Sequence, residues 1–380
     1  MILRNILIVL EAKMTKGLFK EEKMKIAILG AGNAGCTVAG DLTKKGHEVT
    51  LIKTSDSLHN DNYKYLVENN GKFTIQEGDE KTTVNIKTVT QDLSKLSECE
   101  LVIIYIQTKY HEELIKKASE YFVDGQMVLI NPGYLSTAYV KKYAKDLDLT
   151  IIEATSSFID CRIMEPGLSK VGFRNVRNPI GVYPSERTKD TLAKLESLGY
   201  NLHAWNTVEV ALHNPNLIVH TIGAIFSIPR IEKTNGDYCM YWEAFTPTVW
   251  KVLEQLDSEK MDVLEHLGLE RLAYVDACKF RNTLDTDADG KEIFFWYAGM
   301  PTRAKGPTTV NHRYITEDVP EGLVMLETLG KHLNIPTPIC TSLIEIASAA
   351  LDVDFRNEGR SVERLGEESV KVILEDCKRI

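Results

Sequence analysis

Ile26-Ala27-Ile28-Leu29-Gly30-Ala31-Gly32-Asn33-Ala34-Gly35 joins an apolar run to a Gly-x-Gly-x-x-Gly turn. The run reads as a buried strand, and a helix is expected from the turn to about Lys45, ended by Gly46. The three glycines do different things. The first makes the tight turn, the second lets backbone approach a pyrophosphate, and the third allows close helix–strand packing. The new helix offers unpaired N–H groups and the positive end of its dipole to phosphates. Gly30, Ala31, Gly32, Asn33, Ala34 and Gly35 are therefore the expected dinucleotide cradle.

Outward from this turn, further apolar runs at 48–52, 101–106, 127–130, 150–152 and 180–183 read as strands, with helix-like stretches at 112–121 and 186–198. The run at 101–106 is almost continuously apolar, as a strand covered on both faces must be. Residues 24–205 are expected to form a doubly wound Rossmann domain. Beyond Trp205 the strand signal fades and helical spacing takes over at 207–212, 247–256 and 321–333, with Asn214-Pro215 as N-cap and first-turn proline of a helix through Ile222. The expected fold is α/β, an N-terminal doubly wound Rossmann domain followed by an all-α C-terminal domain over 206–380. A chain of 380 residues exceeds a single core, in keeping with two domains.

Residues 1–23 are expected to be an N-terminal extension. Their apolar run Ile6-Leu7-Ile8-Val9-Leu10 is too short to span a membrane, and Glu11 interrupts it too early for a secretory signal. A net charge of −9, without a basic cluster, argues against a nucleic-acid partner. The 7 cysteines never pair as C-x-x-C and read as reduced thiols, so neither a metal site nor a disulfide framework is expected and the location is cytoplasmic. No membrane partner is expected, and a homodimer is the assembly considered.

An acid at the end of the second strand would accept bonds from a free ribose 2′-hydroxyl, but Lys53, Thr54 and Ser55 stand there and suit a 2′-phosphate. NADP is the expected cofactor, with NAD as the other candidate if Asp56 reads the ribose. Gln107 and Thr108 lie at the carboxyl end of the third apolar run, where they can contact the cofactor or merely cap a helix. Asn131-Pro132-Gly133 occupies a matching strand end.

Hydride transfer to C=O or C=N needs a proton donor, for which histidine is suited. His220 follows Asn216 by about one helical turn, and His213 lies about two turns before it, on roughly the same face. Periodicity alone makes His220, amid Leu217, Ile218 and Val219, a core histidine. A second polar segment, His312-Arg313-Tyr314-Ile315-Thr316-Glu317-Asp318-Val319-Pro320-Glu321-Gly322-Leu323, holds an arginine able to clamp a carboxylate and acids able to orient an imidazole. Read blandly, its acids only cap the next helix.

Together these segments resemble the octopine/nopaline (opine) dehydrogenase family, which carries Asn-x-x-x-His and His-Arg-Tyr-x-x-Glu-Asp-Val-Pro-x-Gly-Leu behind a Rossmann domain. Similarity continues through Ile228-Pro229-Arg230-Ile231-Glu232, 256–259 and Ile335-Pro336-Thr337-Pro338, so it covers most of the chain from Met24. The resemblance implies NAD(P)H-dependent reductive condensation of an amino acid amine with an α-keto acid. It makes His220 the general acid/base, Asp318 its orienting carboxylate, Arg313 the clamp on a substrate carboxylate, and Asn216 a holder of substrate or cofactor near His220. One alternative is a ketopantoate or β-hydroxyacid-type ketoreductase, but such enzymes use a lysine on the first interdomain helix, and 207–223 contains none. The other is a non-catalytic NADP-binding regulator, which would lack the donor and clamp that stand here.

Overall fold

The structure is a computed structural model that describes residues 23–56, 58–300 and 305–377. All of the extension expected over 1–23 except Lys23 lies outside the described residues. Among the described residues, twelve strands fall into two sheets: β1 Lys25–Leu29, β2 Glu48–Ile52, β3 Lys72–Glu77, β4 Glu80–Asn85, β5 Thr88–Thr90, β6 Leu101–Ile104, β7 Met127–Ile130, β8 Thr150–Ala154, β9 Ile159–Glu165, β10 Leu168–Arg174, β11 Asn178–Tyr183 and β12 Leu202–Trp205.

The larger sheet runs β12-β11-β8-β7-β6-β1-β2-β5. Neighbours are parallel except β8 and β11, which are antiparallel. Strand order reverses between β1 and β6, so loops leaving their carboxyl ends diverge and open a ligand-sized crevice. Alternation along the strands sorts side chains to two faces. Ile26, Ile28, Leu101, Ile103, Met127 and Leu129 enter one core. Ala27, Leu29, Val102, Ile104, Val128 and Ile130 enter the other, which continues without a break into Leu217, Ile222, Leu326 and Leu374 of the helical half.

The second sheet, β4-β3-β10-β9, is an addition that the sequence reading did not anticipate within the doubly wound frame. It lies against the helix Asn33–Lys44, where Gly40 leaves room for Phe73 and Ile75; a Cβ there would sit 3.0 Å from each of their Cδ1 atoms. Two side-chain amides tie the sheet down. Asn33 Oδ1 accepts from Ile163 N at 2.8 Å, and Asn62 Oδ1 accepts from Gly167 N at 2.9 Å.

After β12 the described chain is helical apart from an isolated bridge between Cys239 and Gly306. Asn214 caps the helix Pro215–Ile225 by accepting from Asn216 N at 3.0 Å, with proline in the first turn. The expected helix over 321–333 is a π-helical turn, Val319–Leu323, followed by Val324–Leu333. The two halves meet around Arg360, whose fully buried guanidinium donates to Glu321, to the Tyr134 carbonyl, to Ser136 Oγ at 2.9 Å and to Thr108 O at 3.3 Å. Such a cation is tolerable in the interior only because its donors find acceptors.

Candidate active site

The glycine-rich turn has the form a pyrophosphate requires. Gly30 has φ +114°, and a Cβ there would lie 2.2 Å from Tyr105 O; a Cβ on Gly35 would lie 1.8 Å from Gly30 O. These two glycines are dictated by packing within the protein. Gly32 differs, since its closest neighbour would be the His59 ring at 3.7 Å, which leaves the backbone approachable. The helix Asn33–Lys44 has no side-chain cap and no acid in its first turn, so its leading N–H groups are open to an anion. Ala31 is buried, Ala34 is half-buried, and the Asn33 amide is used by β9 rather than kept for a ligand.

The end of β2 is less simple than expected. Lys53 is only 5% exposed, and its Nζ donates to Leu58 O at 2.6 Å, so this amine must leave a protein acceptor to meet a 2′-phosphate. Burial lowers its pKa, opposed by nearby Asp56. Thr54 is half-buried, Ser55 is exposed, and Asp56 accepts from Gln91 Nε2 at 2.8 Å. Gln107 precedes the short turn Thr108–Tyr110. Thr108 gives both its N–H and its hydroxyl to Glu317 Oε1, each at 2.8 Å, and so joins the two halves.

In the helical half, His220 Nδ1 and Asp318 Oδ2 are 2.8 Å apart, both buried. Facing a carboxylate, Nδ1 carries the proton, which leaves Nε2 as the exchanging nitrogen. Nε2 lies 3.0 Å from Tyr241 Oη. Tyr314 stacks on the imidazole, with centroids 3.6 Å apart and planes inclined by 21°, and fixes its plane. Asp318 stands at the N-cap of the π-helical turn without capping it. Instead its second oxygen accepts from Tyr134 Oη at 3.0 Å. Tyr134 follows β7 with φ 51°, a left-handed conformation held by the Arg360 bond to its carbonyl and by Glu153, which accepts from Leu135 N and Thr137 N.

Arg313 begins the turn Arg313–Thr316, and its Nε pairs with Glu317 Oε2 at 2.9 Å while the side chain stays 49% exposed. Asn216 lies in the first turn of the His220 helix and is half-buried. His213 is not on that helix. It terminates Thr207–Leu212, and its Nδ1 lies 3.2 Å from the buried Lys260 amine, so the face shared with His220 that spacing suggested does not exist. Tyr134, Tyr241 and the Glu317 bridge were missed by sequence reasoning. For Glu317 the four-residue spacing from Arg313 was a local signal; Tyr134 and Tyr241 meet their partners across 184 and 21 positions.

Residues 203–351 match the family described as NAD/NADP octopine/nopaline dehydrogenase, alpha-helical domain, and residues 26–144 match ketopantoate reductase PanE/ApbA. An opine dehydrogenase of Arthrobacter sp. (strain 1C) is 26% identical over 358 residues, covering 91% of this chain and 96% of that protein. A solved octopine dehydrogenase with NADH and L-arginine superposes with TM-score 0.75 at 18% identity, over 93% of this chain and 98% of that one. A yersinopine dehydrogenase with NADP+ bound superposes with TM-score 0.67 at 14% identity, over 94% and 99% of the two chains.

Proposed function

We infer that this chain, whose helical half is that of the octopine/nopaline dehydrogenase family, is an NAD(P)H-dependent opine dehydrogenase. Its reaction condenses the amine of an amino acid with the carbonyl of an α-keto acid, releases water, and reduces the resulting C=N to a secondary amine. The observation that carries this reading is the buried His220–Asp318 pair, in the same segment as Arg313, together with a glycine-rich turn open to a pyrophosphate. We take residues 24–205 as the nucleotide-binding half and 206–380 as the substrate half.

When bound, the nicotinamide supplies the hydride. Gly32 and the N-terminus of Asn33–Lys44 would hold the dinucleotide's pyrophosphate, Gln107 would flank it, and half-buried Thr54 with exposed Ser55 and Asp56 would meet the adenosine ribose. NADP preference rests on Lys53 exchanging the Leu58 carbonyl for a 2′-phosphate, with Ser55 beside it. His220 gives its Nε2 proton to the oxygen that leaves as water and recovers it for the reverse oxidation. Asp318 holds the ring in place through Nδ1. Arg313 clamps the keto-acid carboxylate through the exposed part of its fork, and Asn216 borders the same space.

The nucleotide half alone fits a simple ketoreductase equally well. That alternative relies on a lysine on the first interdomain helix, and neither Thr207–Leu212 nor Pro215–Ile225 carries one. Among the described residues no helix is long and apolar enough to cross a membrane. A cytoplasmic location and a homodimer complete the proposal, the latter read by light scattering. The functional test is NADPH oxidation with a panel of α-keto acids, each with and without amino acids. Consumption that requires both substrates supports the reading, and consumption with keto acid alone rejects it.

A further inference from the structure

Two successive carboxylates of the helical half are gripped by two strand-end loops of the nucleotide half. Thr108, after β6, donates twice to Glu317, and Tyr134, after β7, donates to Asp318. Only the Asp318 contact serves the proton donor. Glu317 is 2% exposed, and its other oxygen lies 2.9 Å from Arg313 Nε. Its neighbours are one cation and the adjacent Asp318 carboxylate, and burial pushes its carboxyl up, partly offset by Arg313. A buried acid that meets one domain through a hydroxyl and an N–H, and the other through a guanidinium, is more than a helix cap.

We propose that Glu317 is a positioning residue for substrate: anchored by Thr108 of the nucleotide half, it aims the Arg313 fork so that the carboxylate of an α-keto acid is recognised only when the two halves are engaged. This rests on the opine dehydrogenase reading for the clamp itself, but not for the amine. The ion pair at Nε limits where the half-exposed Arg313 guanidinium points, and the planar fork beyond it can then meet a carboxylate with two parallel N–H groups. A glutamine at 317 keeps an acceptor for Thr108 and loses the charge that orders the arginine.

The experiment compares pyruvate with methyl pyruvate in wild type, Glu317→Gln and Thr108→Val, by steady-state kinetics and by calorimetric titration of the NADP+-loaded enzyme. Glu317→Gln is expected to raise the pyruvate KM or Kd about tenfold, with kcat and NADPH affinity within about threefold, and to erase most of the preference for acid over ester. Thr108→Val, which retains its N–H, moves the same quantities less, and decides the matter if Glu317→Gln fails to fold. Unchanged pyruvate affinity in a folded variant overturns the proposal, as does a loss shared equally by acid and ester. A wild type that takes up both equally, or neither, has no clamp to aim and overturns it too. Should pyruvate turnover need no amine, the opine reading falls, while the acid–ester comparison still tests Glu317.

Discussion

His220 is a residue whose local sequence argues for one thing and whose surroundings argue for another. Flanked by apolar neighbours, it reads as core; only the distant Asp318 at 2.8 Å gives it a chemical role. Family resemblance brought His220, Asp318 and Arg313 into view, and spacing along the chain did not. Tyr134 was illegible because its partner lies 184 positions away. His213 misled for the opposite reason, since a helical period was extended across a helix end. Asp318→Asn retains a hydrogen-bonding side chain but removes the carboxylate paired with the imidazole. It should lower kcat by about 10²-fold while leaving NADPH affinity unchanged, measured by fluorescence titration beside steady-state rates. Equal loss in both quantities would make Asp318 structural.

Elements were legible where period and punctuation agreed. The strand–turn–helix at β1 and the Asn214-Pro215 helix start stand as read, because glycine conformation and cap chemistry are local. The second sheet escaped notice although Phe73 and Ile75 alternate with polar residues. Its strands pair β3 with β10, nearly a hundred positions on, and no local pattern reports that. The π-helical turn at 319–323 was likewise read as ordinary helix, since period alone does not reveal one. The cap makes a direct prediction. Asn214→Ala removes the acceptor for Asn216 N and should destabilise the protein by about 1 kcal/mol, seen as a melting temperature lower by roughly 2 °C.

At the scale of the molecule, one core runs from the sheet into the helices, so the two halves fold against each other. Glu327 is a polar joint in the helical half, accepting from Arg356, Lys331 and Thr341 at 2.7 to 2.8 Å. Burial alone would raise its pKa, but these donors outweigh it and bring the carboxyl to about 2. A carboxyl depressed in the folded state contributes its full stability above the unfolded value near 4.5 and loses it as pH falls toward 2. Glu327→Gln should therefore melt well below wild type at pH 6, on the order of 2 kcal/mol, with the gap narrowing by pH 3. A gap independent of pH would contradict the assignment.

The opine dehydrogenase reading stands or falls on where the hydride goes. The decisive measurement uses NADPH carrying deuterium at the transferable position, with an α-keto acid and an amino acid, and determines product mass. A secondary amine with one deuterium on the former keto carbon is the predicted result. Deuterium found instead in a 2-hydroxy acid, with the amino acid unchanged, would contradict the account.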